Sequence, residues 1–467
     1  MLALRFKLWF LLGLAVLCGC SSLPFIHPDL ARPSKTTVRL EGARGVLTAS
    51  QSKAILDQVR SRSTDTNIFD RHLAVEEAIV GSPLTTGNQV QLLQDGPATY
   101  RAMFAAIDAA KDHINLETYI LDDDEIGQQF VQALMRKQKQ GVQVNIIRDS
   151  VGTIGTPEVF FRTLSDSGIR VLEFNPVNPL VAGPNWRLNQ RDHRKLLVVD
   201  GRIAFLGGIN ISSVYSGGSF SQGARKPSAT NLAWRDTDLQ LQGPVVAELQ
   251  KLFLATWAKQ NGPPLPKSNF FPPPVSAGKV VVRAIGSSPS DPFSLIYATL
   301  MSAIGSAETS VHLTNAYFAP DPQLLAALEA AAARGVTVKL ILPSQTDSWL
   351  IFHAGRGYYE QLLRAGVRIY ERQGVILHSK TALIDGVWAT IGSTNLDWRS
   401  FLHNEELNAV ILGTDFGQQV RRCSTKTWRR PKKSPSKNGR AARSICASGK
   451  RFRGSGSTGC DRLQANE

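Results

Sequence analysis

Two short stretches of the chain carry residue types suited to phosphoryl chemistry at matched spacing. His193, Lys195, Asp200, Gly201, Gly207 and Asn210 recur at identical offsets as His378, Lys380, Asp385, Gly386, Gly392 and Asn395. One His-x-Lys arises easily by chance, whereas two copies inside a wider repeat are a strong signal. On a strand, residues i and i+2 project to the same side, so each His and Lys share a face while the runs LLVV and TALI stay buried. Two such strands, one per copy, can converge on a single anionic ligand. Two histidines and two lysines with no nearby carboxylate or thiolate cluster make a poor metal site, because Lys is not a usual zinc ligand. No metal or organic cofactor is expected. The set suits a phosphodiester: one imidazole attacks phosphorus, and the other protonates the departing alcohol and then activates the incoming one. Lys195, Lys380, Asn210 and Asn395 would stabilise charge on the non-bridging oxygens.

The residues around the motifs extend the candidate set. Gly207-Gly208 and Gly392-Ser393 close the strand after each motif, where small side chains let a phosphate approach backbone N–H groups, so Gly208 and Ser393 join the phosphate-binding candidates. Asp200-Gly201 and Asp385-Gly386 fall between apolar runs, where Asp-Gly is the favoured type I′ hairpin pair. A turn-forming role is the first reading of Asp200 and Asp385 and direct catalysis the second; both stay among the catalytic candidates. The other histidines, His27, His72, His113, His312, His353 and His403, lack a Lys two residues on and are read as surface or satisfied core groups. Asp122-Asp123-Asp124-Glu125 lies where a helix should begin, which favours capping over metal binding. Trp349, Tyr358 and Tyr359 would line an acyl-chain path or, more commonly for such residues, fill the core.

The elements that must position these groups repeat too. One copy runs from about Val90 to Gln260 and the other from about Lys279 to Gly413. Each has an apolar strand, a helix closed by a basic-Gly turn and a second strand (VQVNII, VTVKLIL), then a helix closed by Gly and a β-rich run (IRVLEF, VRIYE). Strands alternating with helices predict α/β layers with a mainly parallel sheet in each copy. The boundaries expected are a signal segment at 1–20, an extension at 21–85, a first lobe at 86–261, a Pro-rich linker at 262–275, a second lobe at 276–420 and a basic tail at 421–467. The Gly/Ser-rich run from Tyr215 to Asn231 reads as a loop beside the first motif.

The paired HxKxxxxDG(x)5G(x)2N motifs resemble those of the phospholipase D superfamily, and the chain is similar within it to bacterial cardiolipin synthases and their phospholipase D-like relatives. Tyr119 with Gly127, RLNQRDH before His193, Trp234-Arg235-Asp236 before Gly243-Pro244, and GSTNLDWRSFLHNEE after the second motif extend the match over about residues 90–415. The resemblance implies two similar lobes sharing one active site. It implies transfer of a phosphatidyl group from phosphatidylglycerol or another phospholipid to a histidine and then to a second phosphatidylglycerol, with water as acceptor making a hydrolase instead. By that analogy His193 is the nucleophile and His378 the general acid/base; the motifs are symmetric, and the reverse order is the alternative.

Composition narrows the partners. The chain of 467 residues has a formal charge of +15, but residues 421–467 hold fourteen Lys/Arg against two Asp/Glu, which leaves only +3 for the rest. A near-neutral body argues against nucleic acid as the partner and against a nuclease, the main rival enzyme reading. The five cysteines lie at 18, 20, 423, 446 and 460, so nothing between them can form a disulfide in the body. Arg5 and Lys7, an apolar run from Leu8 to Val16 and Leu17-Cys18-Gly19-Cys20-Ser21 form a signal segment ending in a sequence that resembles a bacterial lipobox, with Cys20 as the lipidated residue. The apolar run is shorter than the ~20 residues of a membrane span. An exported protein held by a lipid anchor at the periplasmic face follows, with Ser21 leaning towards the outer membrane. After Val420 the text becomes basic and Ser/Pro-rich, which reads either as a disordered tail or as a shifted reading frame, since back-translation in another frame admits an amphipathic ending. The sequence does not set the oligomeric state.

Overall fold

The structure is a computed structural model that describes residues 37–61, 66, 68–178, 187–217 and 232–426. The signal segment with Cys20, most of the Gly/Ser-rich loop and the tail from residue 427 lie outside the described residues.

Seven longer strands build each half. In the first they are β1 (Leu84–Leu93), β2 (His113–Thr118), β3 (Gln143–Asp149), β4 (Arg170–Phe174), β5 (Lys195–Val199), β6 (Ile203–Gly207) and β7 (Asp238–Gln242). In the second they are β8 (Val280–Ser287), β9 (Ser310–Thr314), β10 (Thr337–Pro343), β11 (Arg368–Arg372), β12 (Thr381–Ile384), β13 (Trp388–Gly392) and β14 (Asn404–Leu412). The spatial order is β4-β3-β2-β5-β6-β7-β1 in one lobe and β11-β10-β9-β12-β13-β14-β8 in the other, the same order twice. β1 and β8 pair antiparallel and join the two halves. Two lobes and an α/β build are as expected, but the sheets are mixed rather than mainly parallel. Among these longer strands, β2-β3-β4 and β9-β10-β11 pair in parallel, each successive pair joined by a helical crossover. The motif strands are joined by three-residue turns, which permit antiparallel pairing alone.

Local chemistry sets the element ends. Asp95, Asp124, Ser294 and Asp321 cap the helices Gly96–Ala109, Glu125–Lys139, Leu295–Ser306 and Pro322–Ala333 with their side chains. Asp124 thus uses its carboxylate on Ile126 and Gly127, the capping role expected for that acidic run. Gly168 and Gly366 follow the helices Glu158–Asp166 and Tyr359–Arg364 with φ of +91° in both, a left-handed turn that a side chain would oppose. One core cluster draws from both halves, with Leu196, Val198, Leu206 and Leu239 packed together with Val282, Leu383, Ile391 and Ala409.

Three segments sit differently from the sequence reading. The chain before β1 packs on the far lobe: Ile68 and Leu73 enter its core, His72 reaches Ser302, and the Glu76 carboxylate meets Arg283 and Trp388. The Pro-rich linker lies along the first lobe, where Ser268 bonds Gln143 and Phe270 packs on His113. The last helix, Thr414–Lys426, continues past residue 420 and buries Cys423. Among the described residues no helix is long and apolar enough to cross a membrane.

Candidate active site

Two crossed strand pairs assemble the site. Arg191–Asp192, just before the first motif, pairs in parallel with Asn404–Glu405 of β14, and the His193 N–H donates to the Glu405 carbonyl at 3.0 Å. In mirror fashion Ile376–Leu377 pairs with Trp234–Arg235, and the His378 N–H donates to the Arg235 carbonyl at 2.7 Å. Each histidine is therefore registered against the other lobe, and the next residue of that opposing strand is a carboxylate. The His193 Nδ1 lies 3.1 Å from Glu406 Oε1, and the His378 Nδ1 lies 2.6 Å from Asp236 Oδ2.

These contacts fix what each ring can do. A neutral imidazole that donates Nδ1–H to a carboxylate carries its lone pair on Nε2, which becomes the nucleophilic or basic atom. Burial and the Lys195 charge lower the His193 pKa to about 4, against the pull of Glu406. Burial and Lys380 lower His378 in the same direction, opposed by Asp236. Both rings are thus neutral near pH 7 in the free protein. Burial pushes the Glu406 carboxyl up, but His193 and the Ser393 hydroxyl, 2.5 Å away, outweigh it and bring it down to about 2. A fixed anion behind the imidazole stabilises the cation that develops when the ring takes up phosphorus or a proton.

The two lysines share the buried face of their histidines, as the i, i+2 spacing predicts. Lys195 Nζ donates to the His193 carbonyl at 2.6 Å, and Lys380 Nζ donates to the His378 carbonyl, with the His378 Nδ1 2.9 Å from the ammonium. Burial takes Lys195 to about 7 and Lys380 to about 8, and each lysine responds to the carboxylates of both lobes. Two ammonium groups held this far below their usual range mark a place short of negative charge. Binding of an anion there would raise both.

Aromatic rings divide unequally between the histidines. Tyr119 packs edge-on against His193 at 5.1 Å between centroids, with Lys195 over its ring. His378 meets three rings: Trp234 at 4.9 Å, Tyr317 at 5.8 Å and Tyr215 at 6.0 Å.

Several expected roles change. Asp200 and Asp385 do not join the reacting cluster, because both lie past the far ends of β5 and β12. Each adopts positive φ in its hairpin turn, 52° and 49°, followed by glycine with positive φ, and thereby fits the type I′ reading. The Asp200 carboxylate accepts from the backbone N–H groups of Lys111, Asp112 and His113, and Asp385 accepts from those of Glu308, Thr309 and Ser310 and from Thr66 Oγ1. Gly208 does not present its N–H to a ligand, since that group donates to the Thr237 carbonyl. A side chain there would overlap the Asp236 carboxylate, which is why glycine is required. Ser393 likewise spends its hydroxyl on Glu406 and its N–H on the Leu407 carbonyl. Asn210 donates to Tyr215 Oη and accepts from the Ile120 N–H, so it holds Tyr215 beside His378. The Asn395 side-chain oxygen is buried and has no hydrogen-bond partner among the described residues.

Asp236 and Glu406 stood in the sequence only as matching letters. Their partners lie 142 and 213 residues away, and the spacing from motif to carboxylate differs between copies because the Gly/Ser-rich run lengthens the first. The signal that finds them is their equivalent place in the repeat: Asp238 pairs with Gly207 and Asn408 with Gly392, so two residues earlier Asp236 and Glu406 coincide.

The family described as "Cardiolipin synthase, PLD-like domain" matches residues 103–217 and 300–428. A cardiolipin synthase of Geobacillus kaustophilus (strain HTA426) is 37% identical over 336 residues, which are 71% of this chain and 64% of that protein. Cardiolipin synthase A of Pseudomonas entomophila (strain L48) is 36% identical over 344 residues, 72% of this chain and 68% of that protein. The chain thus spans about 64% of the length of the first of these relatives. Among solved structures, the phosphatidylserine synthase of Haemophilus influenzae Rd KW20 shares the fold, with a TM-score of 0.53 and 15% identity over 76% of this chain and 88% of that one.

Proposed function

The chain belongs to the cardiolipin synthase family of phospholipase D-like proteins, and on that premise we propose that it is a phosphatidyltransferase that makes cardiolipin from phosphatidylglycerol. The observation that carries the reading is the pair of buried, neutral imidazoles, each backed by a carboxylate from the opposite lobe and flanked by a lysine.

In the first step His193 Nε2 attacks phosphorus, and the bond from phosphorus to the headgroup glycerol oxygen breaks. The departing oxygen takes a proton from His378, leaving a phosphatidyl-histidine and free glycerol. His378 holds that proton because the substrate's negative charge raises its pKa in the complex. In the second step His378 Nε2 removes a proton from the hydroxyl of a second phosphatidylglycerol, whose oxygen attacks phosphorus and releases His193. Lys195 and Lys380 hold the non-bridging oxygens through both steps. Attack by water in the second step gives phosphatidic acid. Of the two histidines, His193 is the nucleophile in this reading because Glu406 is the one side chain within hydrogen-bond distance of its Nδ1, whereas Asp236, Lys380 and Tyr215 all lie within that distance of the His378 Nδ1, a network suited to moving a proton. Export and anchoring through lipidated Cys20, supported by the lipobox-like sequence, would bring the site to its substrate at the periplasmic face, by the weaker cue of Ser21 at the outer membrane.

The test is incubation with phosphatidylglycerol vesicles and analysis of the lipid products, beside His193→Ala and His378→Ala. Cardiolipin with stoichiometric glycerol, lost in both variants, is the expected result. Phosphatidic acid alone would convert the reading to a hydrolase, and no lipid turnover would overturn it.

A further inference from the structure

The lobes differ in one connection that faces the chemistry. Between β3 and the helix Glu158–Asp166 the first lobe uses residues 150–157. Between β10 and the matching helix Tyr359–Arg364 the second uses residues 344–358, seven more, and folds them into an additional helix, Trp349–Arg356. This helix reads WLIFHAGR and buries only Gly355. Trp349 is 71% exposed and Leu350 is 72% exposed, the two most exposed large apolar side chains on this lobe. Neither fills the core, which is the commoner fate of such residues in the sequence reading.

The helix is mounted against the active site. Any side chain at Gly355 would overlap the Phe318 carbonyl, so the helix lies backbone to backbone on the residue after Tyr317. Tyr317 packs on His378 and donates its hydroxyl to Asp347, two residues before Trp349, at 2.5 Å. Two more exposed apolar side chains lie on segments that hold rings of the site. Ile154, 72% exposed, is two residues from Gly152, which packs on the Tyr119 carbonyl behind the ring that touches His193, and Val214 adjoins Tyr215.

We propose that Trp349 and Leu350 form an apolar finger that inserts into a phospholipid bilayer and docks the mouth of the active site on it. The inference rests on the phospholipid reading of that site. A short helix with Trp and Leu exposed at its tip and no acidic residue of its own, its Arg356 tied back to Glu371 at the base, fits insertion of the apolar tip at a lipid interface, where Trp is favoured. A second copy of the chain is a poorer occupant, because two exposed apolar side chains fall well short of the roughly 800 Å² per partner that a stable interface uses.

The test compares the full chain carrying Cys20→Ser, so that no lipid anchor contributes, with the same chain bearing Trp349→Ser and Leu350→Ser. Binding to phosphatidylcholine vesicles is read by sedimentation, and the neutral lipid excludes simple charge capture. Turnover is measured on vesicular phosphatidylglycerol and on monomeric dihexanoyl-phosphatidylglycerol. The expected result is at least about a tenfold loss of vesicle binding and of vesicular turnover, with turnover of the monomeric lipid unchanged. Trp349→Phe with Leu350→Met should restore both. Unchanged vesicle binding overturns the proposal, as does an equal loss on both substrates, or a parent that is dimeric and becomes monomeric in the variant. If the parent turns over neither lipid, the phospholipid reading fails while the vesicle-binding comparison still decides the finger.

Discussion

The two lobes carry the same seven strands in the same order and the same six motif residues, yet they surround their histidines differently. In the first, His193 has one carboxylate partner and one aromatic neighbour. In the second, His378 shares a single ring nitrogen with Asp236, Lys380 and Tyr215 and lies among three aromatic rings. The second lobe also bears the additional helix Trp349–Arg356, while the first lengthens the segment before Asp236 instead. Repetition supplied two equivalent imidazoles, and the unequal surroundings are the basis of the proposed division of work, in which His193 attacks phosphorus and His378 exchanges the proton.

The strongest way to break this division is to offer a substrate whose leaving group needs no proton. With a p-nitrophenyl phosphodiester of a short-chain diacylglycerol, His378→Ala should still release about one equivalent of nitrophenolate and stall as the phosphohistidine, whereas His193→Ala should lose activity by more than about 10³-fold with no burst. A burst from His193→Ala instead would exchange the two roles. Next in size come the crossed carboxylates. Glu406→Gln and Asp236→Asn keep shape but remove the anion behind each ring, and each should lower kcat by about 10²-fold or more. On the activated ester the loss should persist for Glu406→Gln and shrink for Asp236→Asn.

The pH dependence sharpens the contrast between the lysines. In the free protein His193 must be neutral and Lys195 charged, so kcat/KM should fall as pH drops through about 4 and again as it rises through about 7. Because Lys380 titrates at about 8, the alkaline limb should move upward when Lys195 is replaced by Arg, which stays charged. The same shifts act on stability with a definite sign. His193 binds fewer protons folded than unfolded between pH 6.5 and about 4, so its contribution is lost as pH falls through that window. The smallest expected effect belongs to the turn aspartates. Asp385→Ala should cost about 2–3 kcal/mol and Asp200→Ala about 1–2 kcal/mol in denaturant unfolding, because the buried Asp385 serves more donors, while activity per folded molecule is retained. A selective loss of kcat in Asp200→Asn at unchanged stability would return that aspartate to the chemistry.

What the sequence made legible follows from local rules and repetition. His193 with Lys195 and His378 with Lys380 share a face because strand geometry makes them do so, and Asp-Gly turns form where the pattern places them. The carboxylates were not legible as partners, because register between strands of different lobes is a long-range property that no local spacing encodes. Gly208 was misread for a similar reason: a small residue near a motif suggests room for a ligand, but the room is taken by Asp236 from another strand. The segment before β1 borders the first lobe in sequence and packs largely on the second in space, since Ile68 and Leu73 enter that lobe's core and Thr66 bonds Asp385. The sheet was read as mainly parallel because helices dominate the pattern, whereas the short turns at Asp200 and Asp385 force half of it to reverse.

The crossed pairs Arg191–Asp192 with Asn404–Glu405 and Ile376–Leu377 with Trp234–Arg235 bind the fates of the two halves. Neither lobe contains a finished catalytic group, so a half-length fragment could fold and still be inert. A lesion in β14 would be felt at His193, and one beside β7 at His378. The duplicate copy is therefore no spare: each half tolerates drift in its own loops, as the unequal insertions show, but not in the strand that it lends to the other.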